Sequence, residues 1–96
     1  MIVVRNVFQV KFGRMKEARD MWKEGRKFVN AANHPRLLTD LSGPFYTLVL
    51  ETTHKDLASL DADMRAEMSQ AAFGAWYQKF IPLVESGSRE IYTIEE

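Results

Sequence analysis

The spacing of apolar residues changes period at Gly13, and that change constrains the fold more than any other feature. From Ile2 to Phe12 the even positions carry Ile2, Val4, Asn6, Phe8, Val10 and Phe12, while Arg5, Gln9 and Lys11 fall on odd ones. Period-two alternation in β-branched and aromatic residues indicates a half-buried strand. Asn6 is the one polar residue on its apolar face. Gly13 ends the strand and can cap a helix. From Arg14 to Asn33 the apolar residues Met15, Ala18, Met21, Trp22, Gly25, Phe28, Val29 and Ala32 recur at helical spacing, with Lys16, Arg19, Asp20, Lys23, Arg26 and Lys27 opposite. Gly25 weakens that helix by roughly 0.5–1 kcal/mol relative to alanine, and is expected to let helix and sheet approach closely. Asn33 and then Pro35 close the helix.

Two more strands are expected at Arg36–Leu41 and Phe45–Thr52, joined through the turn-forming Ser42-Gly43-Pro44. The second carries the densest apolar run and belongs inside the sheet. Thr53-His54-Lys55-Asp56 resembles a capping box with Thr53 as the cap. The helical region after it has two apolar stripes. Leu57, Leu60, Met64, Met68, Ala71 and Ala75 form one; Phe73, Trp76, Tyr77, Phe80 and Val84 form another, rotated away from it. One straight helix cannot aim both at a single sheet, so a break is expected between Ser69 and Gly74. Ser86-Gly87-Ser88 reads as the stop before a final strand at Arg89–Ile94.

The order is β-α-β-β-α-β, an α+β, ferredoxin-like plan: a four-stranded antiparallel sheet with helices on one face, as one domain over residues 1–96. The other sheet face, with Val3 and Val7 beside Arg5, Gln9 and Lys11, is too apolar for full exposure and too polar for a core. Packing against an identical subunit would cover it, so a homodimer is expected. A chain of 96 residues buries only roughly 60–65% of its unfolded surface, which favours the same outcome.

Thirteen basic residues balance thirteen acidic ones, which argues against a nucleic-acid partner. No apolar run approaches the ~20 residues of a membrane span, and no signal-peptide pattern opens the chain, so neither membrane nor export is expected. The absence of cysteine excludes disulfides and thiolate metal sites and fits a cytoplasmic location. No nucleophile elbow, phosphate loop or dinucleotide-binding glycine pattern is found.

The opening Val-Arg-Asn-Val-Phe-Gln-Val-Lys-Phe-Gly-Arg-Met-Lys-Glu-Ala (4–18) resembles the start of NIPSNAP-type and antibiotic-biosynthesis-monooxygenase-type domains. Ala72-Phe73-Gly74-Ala75-Trp76-Tyr77-Gln78-Lys79-Phe80, ahead of a glycine and a last strand, is similar to their close. The resemblance covers essentially the whole chain as a pattern and rests on no diagnostic motif. It implies a dimeric α+β barrel with a small-molecule cleft between helices and sheet. Members of that superfamily include cofactor-independent oxygenases, haem-degrading enzymes and proteins of other roles.

These residues define the candidate site. Asn6 must find a partner or cost about 1–3 kcal/mol on its apolar face. In the haem-degrading relatives a first-strand asparagine is similarly placed, but they also need a histidine on the later helices. No histidine follows Asp56 here, so haem is not expected. Trp22, Phe73 and Trp76 could form a flat apolar pocket, with Trp76 or Tyr77 donating to a planar ligand; the alternative for each is simple core packing. His34 and His54 are the only imidazoles and show no metal-ligand spacing; either could act as a base near neutral pH, His54 being the candidate, while capping or surface roles compete. Asn6, Tyr77 and His54 are thus the candidate catalytic residues, and no cofactor is called for. In oxygenases of the type resembled, the substrate supplies the electrons to oxygen, and the protein binds it, deprotonates it and excludes water. The competing expectation is a non-catalytic barrel that binds a ligand, serves in stress or only dimerises.

Overall fold

A computed structural model describes residues 1–96. Its elements are β1 (Ile2–Val10), α1 (Met15–Gly25), β2 (Arg36–Thr39), β3 (Thr47–His54), α2 (Leu57–Met68), α3 (Ala71–Phe80) and β4 (Val84–Thr93). The sheet order is β2-β3-β1-β4, and every neighbouring pair is antiparallel. This is the expected ferredoxin-like α+β arrangement, with the apolar-rich β3 inside the sheet. No helix is long and apolar enough to cross a membrane.

The alternation of β1 decides which face meets the helices. Val4 and Val10 are buried, and the Phe8 ring stands 5.9 Å from that of Trp22 and 5.1 Å from that of Phe80. Register carries the same face across Leu48 and Leu50 of β3 and Gly87, Arg89 and Ile91 of β4. The core forms between this face and the helices, around Ala18, Trp22, Phe28, Leu48, Trp76 and Phe80.

Several boundaries differ from the sequence expectation, each for a local reason. Gly13 adopts φ +80°, and Arg14 rather than Gly13 caps α1, without a side-chain bond. The helix stops at Gly25 instead of Asn33. Val29 and Asn30 turn extended, and the Asn30 side chain accepts from the Ala32 N–H, so the chain continues as two short 3₁₀ turns, Arg26–Phe28 and Ala31–Asn33. Those turns keep Phe28 and Val29 buried, which is why the helical spacing persisted past the helix. The close approach at Gly25 is to α3 and not to the sheet: an added Cβ would lie 2.5 Å from Cζ2 of Trp76.

Phe45 and Tyr46 lie outside β3. Tyr46 takes φ +55°, and Asp40 accepts from the Thr47 N–H at 2.8 Å, so the link between β2 and β3 is longer than a tight hairpin. Thr53 is a β3 residue paired with Val3, and the cap of α2 is Asp56, whose carboxylate accepts from the Ser59 N–H at 2.9 Å. Ser86-Gly87-Ser88 does not stop the chain. It pairs with Gln9, Phe8 and Val7 inside β4, and a register shift between Gln9 and Val10 takes up the extra residue. The helical break occurs where the two stripes require it. Gln70 is extended between α2 and α3, and its side chain donates to the Phe28 carbonyl at 2.8 Å.

On the other sheet face Arg5, Arg36 and Glu51 cluster. Arg5 Nε donates to one Glu51 oxygen at 2.9 Å and Arg36 to the other, leaving Glu51 only 6% exposed. Burial alone would raise the Glu51 carboxyl, but the hydrogen bonds from Arg36 and Arg5 outweigh it and hold the group below its ordinary value. Val3, Val7, Leu38, Val49 and Tyr92 share this face by register, with Leu38 and Tyr92 exposed.

Candidate functional site

A cleft of about 790 Å³ opens between the helix-facing side of β1 and β4 and the inner faces of the helices. Its origin is local. Gly87 sits opposite Phe8 and contributes no side chain to the floor, where an added Cβ would only make ordinary contact with the Phe8 ring at 3.4 Å. The helical break at the extended Gln70 separates α2 from α3; Met64 and Met68 of the first line the cleft together with Phe73 and Tyr77 of the second, whose rings stack at 5.7 Å. Trp22 and Phe28 complete the apolar surface. The Trp22 indole N–H is buried with no acceptor from the protein. Such an orphan donor costs about 1–3 kcal/mol until an acceptor reaches it.

Six polar residues interrupt this lining: Glu85, Ser86 and Ser88 along β4, and Asn6, Arg89 and Glu67. Asn6 and Arg89 are register partners on β1 and β4, and Arg89 Nε donates to Asn6 Oδ1 at 2.8 Å. The polar residue on the β1 apolar face is thus satisfied by a cation from the neighbouring strand. Glu67 approaches from α2. Burial, reinforced by the negative charge of Asp63 one turn earlier, pushes its carboxyl up to about 7, against the opposing pull of Arg89.

Glu67 also borders a smaller cavity of about 210 Å³ lined by Lys27, Asn30, Asp63 and Gln70. Asp63 is fixed from behind. His54 Nδ1 lies 2.7 Å from Asp63 Oδ2, His54 Nε2 lies 2.8 Å from Thr52 Oγ1, and Asn33 Nδ2 donates to Asp63 Oδ2 at 3.2 Å. With its proton on Nδ1, His54 donates to Asp63 and accepts from the Thr52 hydroxyl, which satisfies both ring nitrogens.

Of the residues singled out from sequence, Asn6, Trp22, Phe73 and Tyr77 line the one cleft. Trp76 does not. It is turned into the core, with its N–H donated to the Met21 carbonyl at 2.9 Å and its ring stacked on Phe80. His54 does not reach the cleft either; it is 4% exposed beneath α2. His34 is an exposed αL residue closing a 3₁₀ turn. Glu67 and Arg89 were missed. Glu67 could have been found from its place one turn after Met64 and next to Met68, and Arg89 from the two-residue spacing that puts it on the face of Gly87 and Ile91. No group of three or more His, Asp or Glu side chains converges to hold a metal ion.

No protein-family profile matches the chain, and no curated protein does. Solved structures do. A NIPSNAP-domain protein from Burkholderia xenovorans superposes with TM-score 0.85 at 16% identity, over 98% of this chain and 94% of its own. A NIPSNAP-family protein from Agrobacterium tumefaciens gives 0.82 at 17%, over 96% and 90%. A candidate antibiotic biosynthesis monooxygenase from Nitrosomonas europaea gives 0.74 at 16%, over the full length of both. With these TM-scores and near-complete coverage of both chains, the chain has the α+β fold of the NIPSNAP-domain and antibiotic-biosynthesis-monooxygenase-like proteins.

Proposed function

We propose that the cleft holds a planar organic molecule and that the protein oxidises it without a cofactor, as a small monooxygenase-like enzyme. The observation that carries this reading is the cleft itself, with its aromatic and methionine walls and few polar groups, the usual make-up of a small-molecule site. The flat surfaces of Phe73, Tyr77 and Trp22 suit a ring system, and Arg89, fixed by Asn6, suits a carbonyl or oxyanion. In such chemistry the substrate loses a proton to the protein and electrons to O₂. One oxygen atom becomes a new carbonyl, the other leaves as water, and two C–H bonds are lost.

The mixed sheet face, with Tyr92 and Leu38 exposed beside the Arg5–Glu51–Arg36 cluster, supports a homodimer closed through the two sheets. Sedimentation at micromolar concentration should report a dimer; a strict monomer would remove the barrel.

Anthrone is a suitable probe, because deprotonation makes it electron-rich and its oxygenation to anthraquinone consumes one O₂ and releases one water. Wild-type protein is expected to bind anthrone and accelerate both oxygen uptake and anthraquinone formation. Gly87→Val, a change that suits a strand but fills the floor, should abolish both. Asn6→Ala and Tyr77→Phe should weaken binding. Binding without oxygen uptake would leave a ligand carrier, and equal binding by Gly87→Val would sink the cleft.

A further inference from the structure

Glu67 is the one carboxyl that borders both the apolar cleft and the smaller polar cavity behind it. It therefore has one face toward a bound molecule and another toward Asp63, Asn30, Gln70 and Lys27. We propose that Glu67, rather than a histidine or Tyr77, is the proton acceptor of the cleft, and that Asp63 is a positioning residue that sets when it accepts. The proposal rests on the cleft being a ligand site.

The geometry separates the two carboxylates by role. Asp63 is immobilised by His54 and Asn33, so its charge stands at a fixed place one helical turn from Glu67. Glu67 accepts no hydrogen bond from a protein donor that would hold it ionised, and it faces the cation of Arg89 across the cleft. The charged groups around it are Asp63 on its own helix, Arg89 and Glu85 on β4, and Lys27 on the first 3₁₀ turn, with His54 of β3 behind Asp63. Asp63 opposes ionisation and Arg89 favours it. A proton leaving an O–H or acidic C–H of the ligand forms a bond to a Glu67 oxygen. The ligand keeps the electron pair as an anion beside Arg89. The same carboxyl meets the polar cavity, where the proton can pass to water. Two carboxyls in different environments, one held in place by hydrogen bonds and one facing the cleft without them, form the usual basis for dividing such labour.

The test uses full-length protein and two planar probes, 2-naphthol and 2-methoxynaphthalene, which differ by the acidic hydrogen. The ratio of their affinities isolates the hydrogen bond to Glu67 from apolar burial. That ratio is expected to rise roughly five-fold between about pH 6 and 8 as the acceptor becomes charged. Glu67→Gln should bind both probes with a flat ratio. In parallel, carbon-detected NMR should place the Glu67 carboxyl midpoint near 7 in the free protein. Asp63→Asn should lower that midpoint by roughly one pH unit and Arg89→Gln should raise it, each carrying the ratio profile with it. A midpoint in the ordinary carboxylate range, or a rise that persists in Glu67→Gln, would overturn the proposal. Binding of both probes with a flat wild-type ratio would overturn the role of Glu67 alone. Failure of both probes to bind at any pH would bring down the cleft reading on which it stands.

Discussion

Replacing Glu67 by glutamine should stabilise the fold at alkaline pH and do little at acid pH. In the folded chain the carboxyl is pushed from its ordinary 4.5 to about 7, chiefly by burial and then by Asp63. A group whose folded value is raised in this way binds its proton more tightly in the native state than in the unfolded one. Below about pH 4.5 the two states hold that proton equally and no penalty exists. As pH rises from there through about 7 the unfolded chain releases the proton first, so stability falls, and above about 7 the full penalty is in place. At 1.36 kcal/mol per pH unit the penalty amounts to about 3 kcal/mol, and partial solvation through the cleft mouth reduces it to roughly 2 kcal/mol. Glutamine keeps the shape and carries no charge to desolvate. Urea denaturation of wild type and Glu67→Gln at pH 4.5 and 8.5 should therefore give similar midpoints at the lower pH and a more stable variant, by roughly 2 kcal/mol, at the higher. Equal differences at both pH values would refute the reasoning, since a packing effect of the substitution would not depend on pH.

Other perturbations follow from the packing. Gly25→Ala places a methyl within 3 Å of the Trp76 ring; overpacking of about 1–3 kcal/mol outweighs the 0.5–1 kcal/mol that alanine returns to a helix, so chemical denaturation should show net loss, and a stabilised variant would mean that Trp76 moves freely. Trp76→Phe removes the donor to the Met21 carbonyl and should cost about 1–3 kcal/mol in the same assay. Glu51 sits below its ordinary value, so its contribution is present above that value and is lost as pH falls through the folded one. Acid unfolding of Glu51→Gln should accordingly be less steep than that of wild type, measured by circular dichroism across pH 2 to 6.

The fold was legible because its governing signals are periodic. Alternation in Ile2–Val10 and two out-of-phase stripes around Ser69 are read without knowing any partner. The boundaries at Asn33, Phe45 and Ser86 were not legible, because each is settled by a contact distant in sequence or by a single backbone angle. Ser86-Gly87-Ser88 has the composition of a turn and becomes strand only because β1 offers it a ladder. The site divides along the same line. Asn6, Trp22, Phe73 and Tyr77 stand out by residue type against their surroundings. Trp76 stands out equally and belongs to the core, since helical spacing cannot say which of two neighbouring aromatics faces a cavity. Glu67 and Arg89 look like surface charges until the sheet register and the packing of α2 bring them to one opening.

The strand that floors the cleft is also one of the sheet's two edges: β4 pairs with β1 along one side only, through nine of its residues. Amides on such a border open to solvent more readily than those of an inner strand. A molecule seated over Gly87 and Arg89 would lean on the least secured rung of the ladder. Occupancy of the site and fraying of the margin are in this way one equilibrium, and deuterium uptake along residues 84–93 should slow when a guest is present and quicken when it leaves.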